Sequence, residues 1–157
     1  MNSLSKIIVK KMIKKKIKIS FAESCTGGML SKTITSISGS SKVFNLGVVS
    51  YSNESKINVL KISKKILKKY GAVSKEVCLA MAKNVSKIGK TNMSLSITGI
   101  AGPNGASFKK PVGLVYVGIK KGSKIKINKF FFKNKGRSYI QKKAVIRSLH
   151  LILKSVS

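Results

Sequence analysis

Three short apolar runs in this chain each empty into a loop of small and hydroxyl residues, and that repeated pattern constrains the fold more than any other feature. Ile17, Ile19 and Phe21 alternate with polar residues and run into Glu23-Ser24-Cys25-Thr26-Gly27-Gly28. Leu46 to Tyr51 forms a second run, expected as a buried strand, and opens into Ser52-Asn53. Met93, Leu95 and Ile97 alternate as a third and open into Thr98-Gly99-Ile100-Ala101-Gly102-Pro103-Asn104-Gly105. Period-two alternation reads as strand, and clusters of glycine and hydroxyl residues after it read as turns. In open α/β sheets, ligands sit at these carboxyl ends of strands.

Helical spacing fills the intervals. Leu4, Ile7, Ile8 and Met12 predict an amphipathic helix near residues 3 to 14. Its stripe is expected to pack on a sheet rather than lie on an anionic membrane. Met29, Leu30, Ile34 and Ile37 predict a second helix, ended by Ser38-Gly39-Ser40-Ser41. Ser52-Asn53 can cap a short helix holding Glu54, Lys56 and Leu60, and a further turn or two from Lys64 to Tyr70 stops at Gly71. Ser74 starts a helix with Val77, Cys78, Met81, Val85 and Ile88 on one face, closed by Gly89. Val112 to Lys120 and Ile125 to Phe132 predict a hairpin through Lys121-Gly122-Ser123-Lys124, and a last helix follows from about Ser138 to Ser155. This order predicts an α/β fold with helices on both faces of a mixed sheet, as a single domain over residues 1–157.

Composition narrows the function. The longest strong apolar run, Val112 to Ile119, falls far short of the roughly 20 residues a spanning helix needs. Lys and Arg number 33 against three acidic residues, for a net charge of +30. Only Arg137 and Arg147 are arginine, and aspartate is absent. Lysine occurs in nearly every segment, as compositional drift in an AT-rich genome would leave it. A reader of nucleic-acid sequence draws on arginine, whose planar fork suits phosphate and guanine. With 6% aromatics and no Trp, no specific nucleic-acid partner is expected, although polyanions should be attracted at low salt. Cys25 and Cys78 form neither a CxxC nor a Cys/His cluster, so no disulfide framework and no metal site is expected, and the compartment reads as cytoplasmic. The basic N-terminus lacks the apolar core of a signal peptide.

The candidate chemistry lies in the loops. Glu23 to Gly28 is a strand-to-helix turn whose N–H groups can hold an anion, with neither Walker A nor dinucleotide-binding spacing. The single histidine, His150, falls inside the last helix, and without aspartate no Ser-His-Asp triad can form. Any serine nucleophile would have to draw on a base other than histidine.

Ala22-Glu23-Ser24-Cys25-Thr26-Gly27-Gly28, Gly39-Ser40-Ser41, Tyr51-Ser52-Asn53-Glu54-Ser55-Lys56, Gly71-Ala72-Val73-Ser74, Thr98-Gly99-Ile100-Ala101-Gly102-Pro103 and Lys110-Pro111-Val112-Gly113 occur in this order. Together they resemble the CinA carboxy-terminal domain family of nicotinamide-nucleotide amidases, over about residues 5 to 155. The resemblance implies a three-layer α/β/α sandwich, no cofactor and no metal. It also implies hydrolysis of the carboxamide of nicotinamide mononucleotide to nicotinate mononucleotide and ammonia. A small-molecule nucleotide is the expected partner, in a stand-alone, homo-oligomeric form. Carried over by motif, Ser41 is the expected nucleophile and Lys56 its base, with Tyr51, Ser24, Thr98 and Arg137 as further site residues.

Ser24, displayed by a strand-to-helix turn, is the alternative nucleophile. Glu23 is expected to orient Lys56 or bind ribose hydroxyls. Thr26, Gly27 and Gly99 are expected to bind substrate. Thr98 is expected to serve the oxyanion or phosphate, and Arg137 the phosphate. Two departures stand out. The family's Gly-Asp-Arg reads Lys135-Gly136-Arg137 here, and a glycine pair reads Gly105-Ala106. The alternatives are a catalytically impaired nucleotide-binding or structural module of this fold, and a basic protein that associates with nucleic acid non-specifically.

Overall fold

The computed structural model describes residues 1–157. Five strands form one mixed sheet in the order β2-β1-β3-β4-β5. They are β1 (Ile19–Glu23), β2 (Phe44–Val49), β3 (Met93–Gly99), β4 (Leu114–Lys121) and β5 (Lys124–Phe131). β1 lies between β2 and β3 and runs parallel to both, while β3–β4 and β4–β5 are antiparallel. The helices are α1 (Asn2–Lys14), α2 (Met29–Thr35), α3 (Asn53–Asn58), α4 (Lys64–Tyr70), α5 (Lys75–Ile88) and α6 (Arg137–Val156). A 3-10 turn, Ser40–Lys42, precedes β2. No helix is long and apolar enough to cross a membrane.

Two apolar clusters make the three layers. Ile8 and Met12 of α1, Leu30 and Ile34 of α2, and Ile140, Leu149 and Ile152 of α6 pack with Phe21, Leu95 and Val117 on one face of the sheet. Leu60, Ile62, Leu67, Val77, Met81 and Val85 cover the other face around Ala22. The buried stripe of α1 is Ser5, Ile8, Val9 and Met12, with Leu4 packed at its edge, so of the expected stripe only Ile7 faces outward. Ser52, Ser63 and Ser74 cap α3, α4 and α5, each accepting a backbone N–H inside its helix.

Two features depart from the expected pattern. β2 is not buried: its residues alternate between half-buried and exposed, because it is an edge strand. In β3 the polar face is as buried as the apolar one. Ser94 donates to the Ala82 carbonyl at 2.6 Å and Ser96 to the Cys78 carbonyl at 2.7 Å, so both hydroxyls bond the backbone of α5. Gly118 lies opposite Ser96, and a Cβ there would meet the Ser96 Oγ at 2.7 Å. Small side chains thus let α5 sit close on the sheet. That seats the Gly71–Ser74 loop, from which α5 starts, over the end of β3.

Lys16 and Lys90 follow α1 and α5 in the left-handed region, at φ 53° and 48°. A Cβ is disfavoured there by roughly 1–2 kcal/mol, which is why helices so often end on glycine. Lys16→Gly should therefore stabilise the fold by about 0.5–1 kcal/mol in chemical denaturation, once the extra backbone entropy of glycine is allowed for.

Candidate active site

The site is built where the parallel strands end and the chain spreads. Ser24 follows β1, and its N–H still bonds the Ile97 carbonyl of β3 at 3.0 Å. On the other side the Ser50 N–H bonds the Glu23 carbonyl at 2.8 Å. The ladder holds Ser24 rigidly between two neighbours, and the turn then swings away into α2. Ser24 is 8% exposed.

Lys56 reaches this point from α3 and is 1% exposed. Its Nζ lies 3.0 Å from the Ser24 Oγ, 2.7 Å from the Ser50 carbonyl oxygen and 3.4 Å from that of Tyr51. No carboxylate is among its partners. Burial lowers its pKa from 10.5 to about 8, since no nearby anion compensates for the lost hydration. A neutral amine with its two N–H groups on carbonyls turns its lone pair to the third neighbour, the Ser24 hydroxyl.

A pocket of about 220 Å³ opens beside the pair, lined by Ser24, Cys25, Tyr51, Lys56, Thr98, Gly99, Arg137 and the Ala72–Val73 and Ile100–Gly102 segments, among others. Thr98 Oγ1 donates to the Ala72 carbonyl at 2.8 Å. Its proton is committed, so toward a ligand Thr98 offers only an acceptor. At Gly99 a Cβ would strike Val115 at 2.7 Å and the Leu114 carbonyl at 2.8 Å, so glycine is required by the close strand pairing. Arg137, at the start of α6, donates to the Gly102 carbonyl at 2.9 Å and to the Tyr51 hydroxyl. It ties the Tyr51 and Gly102 loops to the start of α6 across the pocket entrance.

Several expectations are corrected. Ser41 lies in the exposed 3-10 turn before β2, at the end of the sheet opposite Lys56. Phe44 begins β2 beside Ile19, while Val49 ends it beside Glu23. At about 3.3 Å per residue the strand alone separates Ser41 from Ser24 by roughly 15–20 Å. Glu23 does not reach substrate or Lys56 either. It is fully buried, and its carboxylate accepts from the Thr26 hydroxyl (2.7 Å), the Leu30 and Ser31 N–H groups (3.0 and 2.7 Å) and the Ser31 hydroxyl (2.7 Å). It serves the first turn of α2, where a negative charge is favoured. Thr26 is spent on Glu23, and Thr26 and Gly27 line a separate shallow depression with Lys32 and Gln141.

Cys25 lies in the pocket, but burial pushes its thiol up to about 12 and keeps it protonated. Two positions were not singled out from sequence. The Ser50 carbonyl anchors Lys56, and Gln141, one turn along α6 from Arg137, bonds the Cys25 carbonyl at 2.7 Å. The i, i+4 spacing from Arg137 is the signal that places Gln141 on the same face.

A mixed-sheet α/β/α protein with a buried hydroxyl–amine pair at its parallel strand ends is the class that fold and site define. The chain belongs to the CinA C-terminal domain family, whose family model matches residues 1–156. It is 52% identical to a CinA-like protein of Prochlorococcus marinus strain MIT 9301 over 161 residues, covering 99% of this chain and 38% of that protein. The chain spans 36–38% of the length of such relatives. Its fold matches the crystal structure of competence/damage inducible protein CihA from Agrobacterium tumefaciens with a TM-score of 0.94, at 33% identity, covering 98% of this chain and 93% of that one. A competence or damage-inducible protein from Enterobacter asburiae matches at a TM-score of 0.95 and 27% identity, covering 99% and 98%.

Proposed function

We propose that this protein hydrolyses the carboxamide of nicotinamide mononucleotide, with Ser24 as nucleophile and Lys56 as its base. The observation that carries the reading is the 3.0 Å contact between the Lys56 Nζ and the Ser24 Oγ in a buried setting. Neutral Lys56 takes the Ser24 proton as the oxygen attacks the carboxamide carbon. The N–H group of Cys25, which borders the pocket and donates to no protein acceptor, is assigned to the oxyanion. When the intermediate collapses, Lys56 returns its proton to the departing nitrogen, which leaves as ammonia. Water then attacks the Ser24 ester, Lys56 again takes a proton, and the carboxylate product departs with Ser24 restored.

The pocket is smaller than the roughly 300–1,000 Å³ typical of sites that engulf a drug-sized ligand. This suits the carboxamide-bearing ring inside, with ribose and phosphate toward the entrance where Arg137 stands. Two buried, unbridged cysteines support a reducing, cytoplasmic setting.

The test is substrate dependence. Arg137 should meet the phosphate, and lysine cannot copy its planar fork. Losing one charge-assisted contact is worth roughly 1.5–3 kcal/mol, so Arg137→Lys should cut kcat/KM for the nucleotide by on the order of 10- to 150-fold. The riboside, which lacks the phosphate, should react poorly with wild type and lose little more in the variant. Equal losses for both substrates would remove Arg137 from the phosphate role. Wild-type turnover of the riboside at the nucleotide's rate would remove the nucleotide assignment itself.

A further inference from the structure

We propose that the end of the sheet opposite the pocket is a docking surface for the phosphodiester backbone of nucleic acid, bound without regard to sequence. The positive charge of this chain is large, and its few carboxylates are unevenly placed. Of its three carboxylates, Glu23 is buried and hydrogen-bonded inside the protein. Glu54 and Glu76 are the exposed ones, and both lie in the first turns of α3 and α5, at the pocket end. The opposite end has no glutamate, while the segments that enter or leave the strands there are dense in lysine.

The geometry gathers these segments. α1 delivers Lys14, Lys15 and Lys16 to the start of β1, with Lys18 next to it. Lys15 Nζ bonds the Ser157 carbonyl at 2.9 Å, joining this corner to the end of α6. Lys121 Nζ bonds the Ser155 carbonyl at 2.6 Å, joining the β4–β5 hairpin to the same helix end. Between hairpin and helix runs a groove of about 770 Å³ lined by Lys121, Lys124, Lys126 and Lys154 over Ile119 and Leu151. The result is a continuous cationic end with no side-chain anion to neutralise it, whose complement is a closely spaced line of negative charge.

The residue types define how it binds. Neither arginine lies there: Arg137 is at the pocket, and Arg147 is in mid-helix over the Phe130 ring. The exposed aromatics Tyr51, Tyr70, Phe108 and Phe131 all lie toward the pocket end. Without arginine forks there is no bidentate reading of guanine, and without aromatics there is no platform for unstacked bases. Lysine point charges on phosphates remain, giving affinity without sequence preference and leaving the pocket open while bound.

The experiment compares two variants of equal net charge by anisotropy, with short labelled duplex DNA and RNA probes, from about 50 to 200 mM salt. One carries Lys14→Gln, Lys16→Gln, Lys18→Gln, Lys124→Gln and Lys154→Gln. The other carries Lys64→Gln, Lys65→Gln, Lys68→Gln, Lys69→Gln and Lys83→Gln on α4 and the outer face of α5. Each phosphate contact removed should lower the slope of log K against log salt by about 0.9. The first variant should lose a slope of at least ~2 and on the order of tenfold or more in affinity at about 0.1 M salt, on both probes. The second should change no more than about threefold. Equal losses in both variants, sequence-selective binding, or no wild-type binding at the lowest salt would overturn the proposal. Should the first variant unfold, the exposed pair Lys124→Glu and Lys154→Glu makes the same test against Lys64→Glu and Lys68→Glu.

Discussion

Ser24→Ala should abolish ammonia release, with a loss on the order of 10⁴-fold or more in kcat, while Ser41→Ala should stay within about twofold of wild type. The contrast follows from the sheet. Ser24 is placed by ladder hydrogen bonds on both sides of β1 and meets Lys56 at 3.0 Å. Ser41 is exposed beyond the other end of β2, with the strand's length between it and Lys56. Neither change should disturb folding: Ser24 loses one hydroxyl facing a pocket, and Ser41 is a surface residue. Comparable melting of both variants, with only Ser24→Ala inactive, is the expected outcome. A dead Ser41→Ala beside an active Ser24→Ala would invert the assignment.

Lys56→Met should also lose most activity, by about 10²–10⁴-fold or more, and combining it with Ser24→Ala should be little worse than Ser24→Ala alone, because the pair acts as a unit. Its second signature is stability. Folding lowers the Lys56 pKa from 10.5 to about 8. Between those values the unfolded chain holds a proton that the folded chain has released, so wild-type stability rises with pH across that window. Below pH 8 the full penalty applies, roughly 3 kcal/mol by that shift. Methionine removes it but leaves the Ser50 carbonyl without its donor, which costs about 1–3 kcal/mol. The variant should therefore be as stable as wild type or up to ~2 kcal/mol more so at pH 7, and should lack the wild type's gain between pH 8 and 10.5. In wild type the same group governs catalysis, and kcat/KM should climb through pH 8 toward a plateau as Lys56 becomes neutral.

Much of the fold was legible because alternation and helical spacing report burial directly. Met93, Leu95 and Ile97 marked β3, and the serine caps marked the helix starts. Burial of a polar face was not legible: Ser94 and Ser96 look like solvent-facing positions, yet they bond α5 because the sheet is covered on both sides. β2 looked buried because its side chains are apolar, and nothing in a single strand's pattern says that it lies at an edge.

The site divides in the same way. Motif order brought Ser24, Tyr51, Lys56, Thr98 and Arg137 into one list, and the structure brings them to one pocket. The element order already put the Gly39–Ser41 loop before its strand and the Glu23–Gly28 loop after one, so the signal that places Ser41 at the wrong end was in the sequence, and the motif resemblance overrode it. Glu23 misled for a related reason. An acidic residue in a loop motif suggests a ligand contact, but here four donors of the next helix take up its carboxylate.

The most direct measurement is product analysis of nicotinamide mononucleotide turnover at pH 8.5, with wild type and Ser24→Ala side by side. The Ser24–Lys56 account predicts ammonia and nicotinate mononucleotide in equal amounts from wild type and neither from the variant. No ammonia from folded wild-type protein, or undiminished ammonia from Ser24→Ala, would contradict it.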